Sequence, residues 1–118
     1  MFPGIGSLTA MVELDFSHNK LETLPDTLAQ LKQMTKIEAH HNLFYRIPHV
    51  LTQLTEIDQL NLQECEIKTL DVSVVHAFSQ LPNLKILDLR FFPLPELFLL
   101  TLFLGSFSDN LNIYFIFF

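Results

Sequence analysis

The chain repeats itself with a register of 23 residues, and this repeat constrains the fold more strongly than any other feature of the sequence. The copies begin at Met11, Met34, Ile57 and Leu84, so the spacings are 23, 23 and then 27 residues. With x for a variable residue, they read MxxLxFxxNxL, MxxIxAxxNxF, IxxLxLxxCxI and LxxLxLxxFxL. A period of this length predicts supersecondary units that stack and share one continuous core.

Each copy predicts one short strand. Apolar residues at its fourth and sixth positions, such as Leu60 and Leu62, have the period-2 spacing of a strand with one buried face. We therefore expect four parallel strands centred near residues 14, 37, 60 and 87. The side chains predicted to form their common core are Leu14, Phe16, Ile37, Leu60, Leu62, Leu87 and Leu89.

The ninth position of the repeat carries Asn19, Asn42 and Cys65 in the first three copies. Backbone groups that turn inward after a strand need hydrogen-bond partners, and these side chains can supply them. We expect the three residues to form a stacked, inward-facing ladder. The fourth copy departs from the pattern because Phe92 cannot hydrogen-bond a buried backbone, so this copy is either terminal or distorted.

The segments between the predicted strands carry apolar residues at every third position, as in Leu24, Leu28 and Leu31. This spacing favours 3₁₀-like or short helical returns with one face inward. In the longer repeat, Asp71 is placed to begin a fuller α-helix.

Residues 2–8 look like the return half of an earlier repeat without its strand. Solenoids normally carry polar caps at their ends, and this N-terminal segment does not resemble one. We therefore expect the chain to be a fragment or the product of a variant gene model.

The four copies resemble the leucine-rich repeat pattern LxxLxLxxNxL, in which Cys is an alternative to Asn. The returns resemble those of short intracellular leucine-rich repeat proteins, a group that includes Ras-pathway scaffolds. The resemblance covers residues 2 to about 95 and implies an α/β right-handed solenoid, with a parallel sheet on the concave face and short helical or 3₁₀ returns on the convex face. It also implies protein recognition as the usual activity. We assign residues 1–96 to this repeat domain, with residues 1–10 as a partial first repeat.

The C-terminal segment, residues 97–118, differs in composition from the repeats. From residue 91 onward the chain holds eight of its twelve phenylalanines and no Lys or Arg. Three interpretations are open: a hydrophobic anchor or partner-binding tail, a cap over the open end of the core, or sequence from an alternative 3′ end without evolved structure. We favour the third, under which deletion of the segment raises solubility.

Composition excludes several classes of function. Thirteen acidic residues against seven basic ones give a net charge of −6, which opposes nucleic-acid binding. The sequence contains no phosphate-binding glycine loop, nucleophile elbow or CxxC motif, so it predicts no enzyme and no cofactor. No apolar run reaches the roughly 18 residues of a membrane helix. We expect a monomer in the cytoplasm, with a nuclear location also open.

The repeat places His18 and His41 at equivalent positions on neighbouring strands, with His40 beside them. At the spacing of a sheet, the first two would lie roughly 5 Å apart. The next candidate ligand is Glu64, which extends a flat, exposed row and does not complete a tetrahedron. We therefore predict solvated histidines and no metal site. Cys65 is predicted to be a buried structural thiol and not a reactive one.

The outward positions of the strands are the predicted binding surface, because parallel stacking arranges them in columns on one face. The central column consists of Asp15, Glu38, Asn61 and Asp88 and is acidic. The predicted partner is therefore a protein or peptide with a basic or polar segment. The alternatives are a plain solvated sheet face and, for the whole chain, a truncated or structural product with no independent binding function. The candidate binding residues are Glu13, Asp15, Ser17, Lys36, Glu38, His40, Gln59, Asn61, Gln63, Asp88 and Arg90.

Overall fold

A computed structural model of the chain describes residues 3–69, 71–89 and 112–114. In this part of the chain the strands form one parallel sheet in sequence order. They are β1 (Glu13–Asp15), β2 (Lys36–Glu38), β3 (Gln59–Asn61), β4 (Ile86–Asp88) and β5 (Asn112–Tyr114). The first four are the strands that the repeat predicts, so the predicted α/β architecture with one parallel sheet is confirmed.

The strand register follows the repeat. Leu14 pairs with Ile37, Ile37 with Leu60 and Leu60 with Leu87, so equivalent positions of successive copies lie side by side. Because side chains alternate across a strand, this register directs the fourth position of every copy to the same face of the sheet. One buried face therefore continues from repeat to repeat.

The returns are mostly 3₁₀ turns, as the three-residue spacing predicts. They span Pro3–Ser7, Asp26–Gln30 and His49–Gln53, and the longer repeat instead contains helix α1 (Val72–Ser79). Pro25 and Pro48 stand directly before the second and third turns, where a fixed φ and a missing N–H suit the start of a helical segment. Asp71 caps α1, because its Oδ1 accepts a hydrogen bond from the Ser73 backbone N–H at 2.9 Å.

The core lies between the sheet and the returns. Ile37, Leu60 and Leu87 from the strands are at most 1% exposed. Leu28 and Leu54 from the return side are fully buried. The same cluster contains Phe16, Leu62 and Leu89, as the sequence predicts. Burial of this continuous apolar surface is the main force that holds the repeats together.

Leu14 differs from the prediction. It is only partly buried, although it occupies the same repeat position as the fully buried Ile37. The reason is its place on β1, the edge strand of the sheet, which has a paired neighbour on one side alone.

The fifth strand comes from the phenylalanine-rich segment. Asn112–Tyr114 pairs in parallel with β4, and Ile113 lies opposite Leu87. The repeat pattern does not predict this strand, because the segment has no recognisable copy of the motif. The interpretations of residues 97–111 and 115–118, and of Phe92, fall outside the described residues.

The described part of the chain contains no helix that is both long and apolar enough to cross a membrane.

Candidate functional site

The exposed face of the sheet carries two columns of polar side chains on its first three strands. The strand pairing aligns one residue from each strand in each column. We call this surface the exposed sheet face; its first column is Glu13, Lys36 and Gln59, and its second is Asp15, Glu38 and Asn61.

Glu38 is held in place by its neighbours. Its Oε2 accepts a hydrogen bond from Asn61 Nδ2 at 3.0 Å, across the β2–β3 pair. Its Oε1 lies 3.7 Å from Lys36 Nζ, in an ion pair whose side chains are 28% and 39% exposed. An ion pair this open to water contributes little stability, so Lys36 remains available to other partners.

Asp15 is a fully charged group near neutral pH. Its Oδ1 accepts hydrogen bonds from the Ser17 hydroxyl at 2.6 Å and from the Ser17 backbone N–H at 2.9 Å. These two bonds hold the pKa of the Asp15 carboxyl below its ordinary value. The carboxylate is thereby fixed in orientation while it stays exposed.

A shallow depression of about 290 Å³ lies between the two columns. Its lining is Glu13, Leu14, Asp15, Lys36 and Glu38. Three carboxylates face one ammonium group there, so the depression carries a net negative charge. Leu14 borders the depression on β1, while its side chain packs against the core as the sequence predicts.

The remaining candidate binding residues lie outside these two columns on the first three strands. Asp88 is only 6% exposed, so it does not offer an open carboxylate as predicted. The physical reason is that β5 pairs along the outer edge of β4 and makes β4 an interior strand. Arg90 lies outside the described residues. Ser17, His40 and Gln63 follow β1, β2 and β3, and each is partly buried.

The ladder residues lie just beyond the strands. Asn42 is 1% exposed, and its Nδ2 donates to the carbonyl oxygens of Phe16 at 3.1 Å and Ala39 at 3.0 Å. Its Oδ1 accepts from the Leu21 N–H at 3.1 Å. Cys65 Sγ donates to the same Ala39 carbonyl at 3.3 Å, so neighbouring rungs share an acceptor.

Asn19 makes the equivalent bond to its own repeat, with Nδ2 at 2.8 Å from the Phe16 carbonyl oxygen. Its side chain is nevertheless exposed, because its repeat lies at the β1 edge of the sheet. The inward contacts of the ladder are therefore strongest at Asn42.

The residue before each rung has a left-handed backbone. His18, His41 and Glu64 have φ values of 56°, 57° and 53°. Such a conformation is uncommon for residues other than Gly, and it makes the sharp turn that directs the next side chain inward. The conformation recurs in three successive repeats, so these three side chains lie side by side beyond the carboxyl-terminal ends of β1, β2 and β3.

Three histidines converge beyond the carboxyl-terminal ends of β1 and β2. His18 and His41 stack with ring centroids 4.3 Å apart and planes inclined by 15°. His40 lies edge-on to both, with centroids 5.0 Å from His18 and 5.1 Å from His41. The Nδ1 atoms of His40 and His41 are 2.9 Å apart. The sequence placed these residues near one another, but it did not show that His40 turns toward the other two.

A second cleft, of about 450 Å³, lies on the return side of the molecule. Tyr45 and Arg46 line it together with Glu22, Asp26 and Asp71. Tyr45 is 52% exposed, which is high for a large aromatic side chain. The sequence analysis missed this cleft because its residues belong to no column of the repeat; an aromatic residue between the buried positions 44 and 47 was the available signal.

Cys65 should be a slow nucleophile. Burial raises the pKa of its thiol to about 11, so at pH 8 roughly one molecule in a thousand carries the reactive thiolate. We expect iodoacetamide to modify folded protein far more slowly than protein in guanidinium chloride, as measured by mass spectrometry over time. Equal rates in the two conditions would contradict a buried structural thiol.

Comparison with known proteins agrees with this architecture. A Leucine Rich Repeat family model matches residues 10–31. A leucine-rich repeat protein of Leptospira interrogans is similar in structure, with a TM-score of 0.78 and 25% identity over 98% of this chain and 28% of that chain. A chain from the Toll–Spatzle complex of Drosophila gives a TM-score of 0.63 and 24% identity, over 92% of this chain and 16% of its own. No curated protein matches this chain.

The chain spans less than a third of the length of either structural neighbour. The likeness therefore concerns the repeat architecture and not the whole of either larger protein. Three observations agree with one another: the family match at one repeat, the register of the parallel strands, and the ladder of side chains that recurs in successive repeats. On these grounds the chain has the fold of leucine-rich repeat proteins.

Proposed function

We propose that this chain is a non-enzymatic interaction module that binds a basic segment of a partner protein on its exposed sheet face. Leucine-rich repeat domains generally mediate protein–protein interaction, and the sheet of a solenoid offers an extended surface for it. The observation that carries the proposal is the acidic depression, in which the carboxylates of Glu13, Asp15 and Glu38 surround Lys36.

The chemistry of the depression favours a Lys or Arg side chain of the partner. Asp15 is held ionised by Ser17, and Glu38 is fixed by Asn61, so both acceptors are already oriented before a partner arrives. Pre-oriented groups lose less side-chain entropy on binding. Exposed charges of this kind act mainly on the association rate and on the orientation of the partner.

Within this proposal the chain acts as a cytoplasmic monomer, in the manner of a scaffold, without nucleic acid, cofactor or catalytic activity. Its net charge of −6 supports the exclusion of nucleic acid. Residues 87–94 also resemble the last repeat of leucine-rich repeat-containing protein 20. That likeness supports a place among the short intracellular members of the group.

The proposal predicts that reversal of two charges weakens binding. Asp15→Lys combined with Glu38→Lys should weaken the affinity of the full chain for immobilised Lys- and Arg-rich peptides by about tenfold or more, because both acceptors become repulsive. The measurement is surface plasmon resonance, with acidic peptides of the same length as the reference. Thermal melting of each variant establishes that it is folded.

The matched control is Glu22→Lys combined with Asp26→Lys. It changes the net charge by the same amount but lies at the return-side cleft. We expect this control to retain most of the binding. If the control loses binding and the first variant keeps it, the partner binds the cleft and the proposed site is wrong. If the folded chain binds basic peptides no better than acidic ones, the alternative of a product without binding function is favoured.

We also propose that residues 97–118 cap the outer edge of the sheet. The support is the parallel pairing of Asn112–Tyr114 with β4, at an offset of 26 residues that is close to the 27-residue spacing of the preceding repeat. A strand in this place covers the row of backbone N–H and C=O groups that an edge strand leaves open.

Truncation tests the cap. We expect a chain ending at residue 96 to melt at a lower temperature and to give a lower soluble yield than the full chain, because the edge of β4 becomes exposed. The comparison is made at matched concentration by circular dichroism and by centrifugation. This expectation reverses the preference drawn from the sequence, and a truncated chain that is more soluble and equally stable would restore that preference.

A further inference from the structure

His18 and His41 have no part in the proposed binding of a basic segment, yet they form a cluster of unusual geometry with His40. Each of His18, His40 and His41 presents one ring nitrogen such that the three lie within 4.8 Å of one another. The residues come from two neighbouring repeats, and their backbones are linked because the His18 N–H donates to the His40 carbonyl oxygen at 3.0 Å. The three rings are therefore positioned by the repeat framework and not by a flexible loop.

Carboxylates contact the outer nitrogens of two of these rings. His41 Nε2 contacts Glu64 Oε2. His40 Nε2 lies 3.6 Å from Glu38 Oε2, which is also the acceptor for Asn61. A carboxylate beside one imidazole nitrogen favours the proton on that nitrogen, which leaves the lone pair on the other.

The inner nitrogens are then two acceptors that face each other. The Nδ1 atoms of His40 and His41 are 2.9 Å apart, and with both protons on Nε2 no hydrogen bond can form between them. Two opposed lone pairs at this distance repel unless a cation lies between or beside them. We propose that His18, His40 and His41 form a binding site for one divalent transition-metal ion of the zinc class.

The surrounding charge favours a cation. Glu64 and Glu38 contact the rings, and the Asp15 carboxylate is close enough to His18 and His40 to interact with them electrostatically. Three neutral imidazoles would balance none of the charge of a divalent ion, whereas the carboxylates of Glu38 and Glu64 offset it from just outside the ligand set.

The ligand set selects the kind of ion. Imidazole nitrogen suits Zn²⁺, Ni²⁺ and Cu²⁺, whereas Mg²⁺ and Ca²⁺ prefer oxygen ligands. In a tetrahedral zinc site with bonds of about 2.0–2.1 Å, ligand nitrogens lie about 3.3 Å apart. The 2.9 Å pair needs only a small adjustment, whereas the three ligand atoms together span up to 4.8 Å, so one ring has to rotate inward on binding. Three protein ligands leave the fourth position open to water or to a donor atom from another molecule.

Isothermal titration of the untagged full chain with ZnCl₂ and NiCl₂ tests the site, with MgCl₂ as the reference. We expect one Zn²⁺ per chain and no heat above background with Mg²⁺. His18→Gln, His40→Gln and His41→Gln should each weaken Zn²⁺ binding by about tenfold or more. His18 is exposed, so its variant is expected to fold, and circular dichroism checks all three variants.

His49→Gln and His76→Gln are matched controls, because these histidines are exposed on a return and on α1, away from the cluster. Both should bind Zn²⁺ as the unmodified chain does. The proposal is overturned if the chain binds no Zn²⁺. It is equally overturned if the cluster variants bind as well as the controls.

Discussion

Leu60→Ala is expected to lower the free energy of unfolding by about 2–5 kcal/mol. Leu60 is 1% exposed and lies on β3, where it pairs with Ile37 on one side and Leu87 on the other. Removal of its side chain leaves a cavity that touches three successive repeats. Because each repeat is stabilised chiefly by its neighbours, a defect in the third repeat weakens both of its interfaces.

The measurement is equilibrium unfolding in urea, followed by circular dichroism. Leu8→Ala is the matched control, since it removes the same atoms from a side chain that is 46% exposed. Its effect should stay within about 0.5 kcal/mol. Equal losses for the two variants would show that Leu60 is not part of a packed core.

Asn42→Leu is the second large effect, with an expected loss of about 1–3 kcal/mol. The substitution leaves the Leu21 N–H without the acceptor it has at 3.1 Å. The Ala39 carbonyl keeps only the weak Cys65 thiol donor, and the Phe16 carbonyl keeps only Asn19. Each buried backbone group left unpaired costs about 1–3 kcal/mol. Leucine has the same number and branching of side-chain heavy atoms as asparagine, so the substitution removes the hydrogen bonds without opening a cavity.

Asn19→Leu is the control for the ladder, because Asn19 is exposed and water can replace its hydrogen bonds. We expect it to cost clearly less than Asn42→Leu in the same unfolding assay. Similar values for the two would mean that the ladder does not depend on burial. A Cys65→Asn variant should be tolerated, since it restores the amide that the repeat pattern favours at that position.

The repeat made most of the fold predictable. A strand at each copy, a return with an apolar residue every third position and an inward side chain at position nine all follow from spacing, because alternation and helical period are properties of the backbone. The cap of α1 by Asp71 follows from the same kind of local rule. The deviations arise at the ends of the sheet, where Leu14 lacks one neighbour and β5 has no repeat motif.

The candidate site was less predictable. The columns of the exposed sheet face follow from the register, but the burial of Asp88 depends on a strand from a distant part of the sequence. The approach of His40 to His41 depends on side-chain rotation, which the period of a repeat does not specify. The cleft around Tyr45 forms between two returns and a helix, so no single repeat contains its pattern.

The most direct test of the central claim is to locate the partner's contact on the protein by NMR. A basic peptide is titrated into the ¹⁵N-labelled full chain, and amide shifts are followed residue by residue. The account predicts the largest changes at residues 13–17, 36–40 and 59–63, on the exposed sheet face. Changes concentrated instead at residues 45–50 and 71–74, around the return-side cleft, would contradict it.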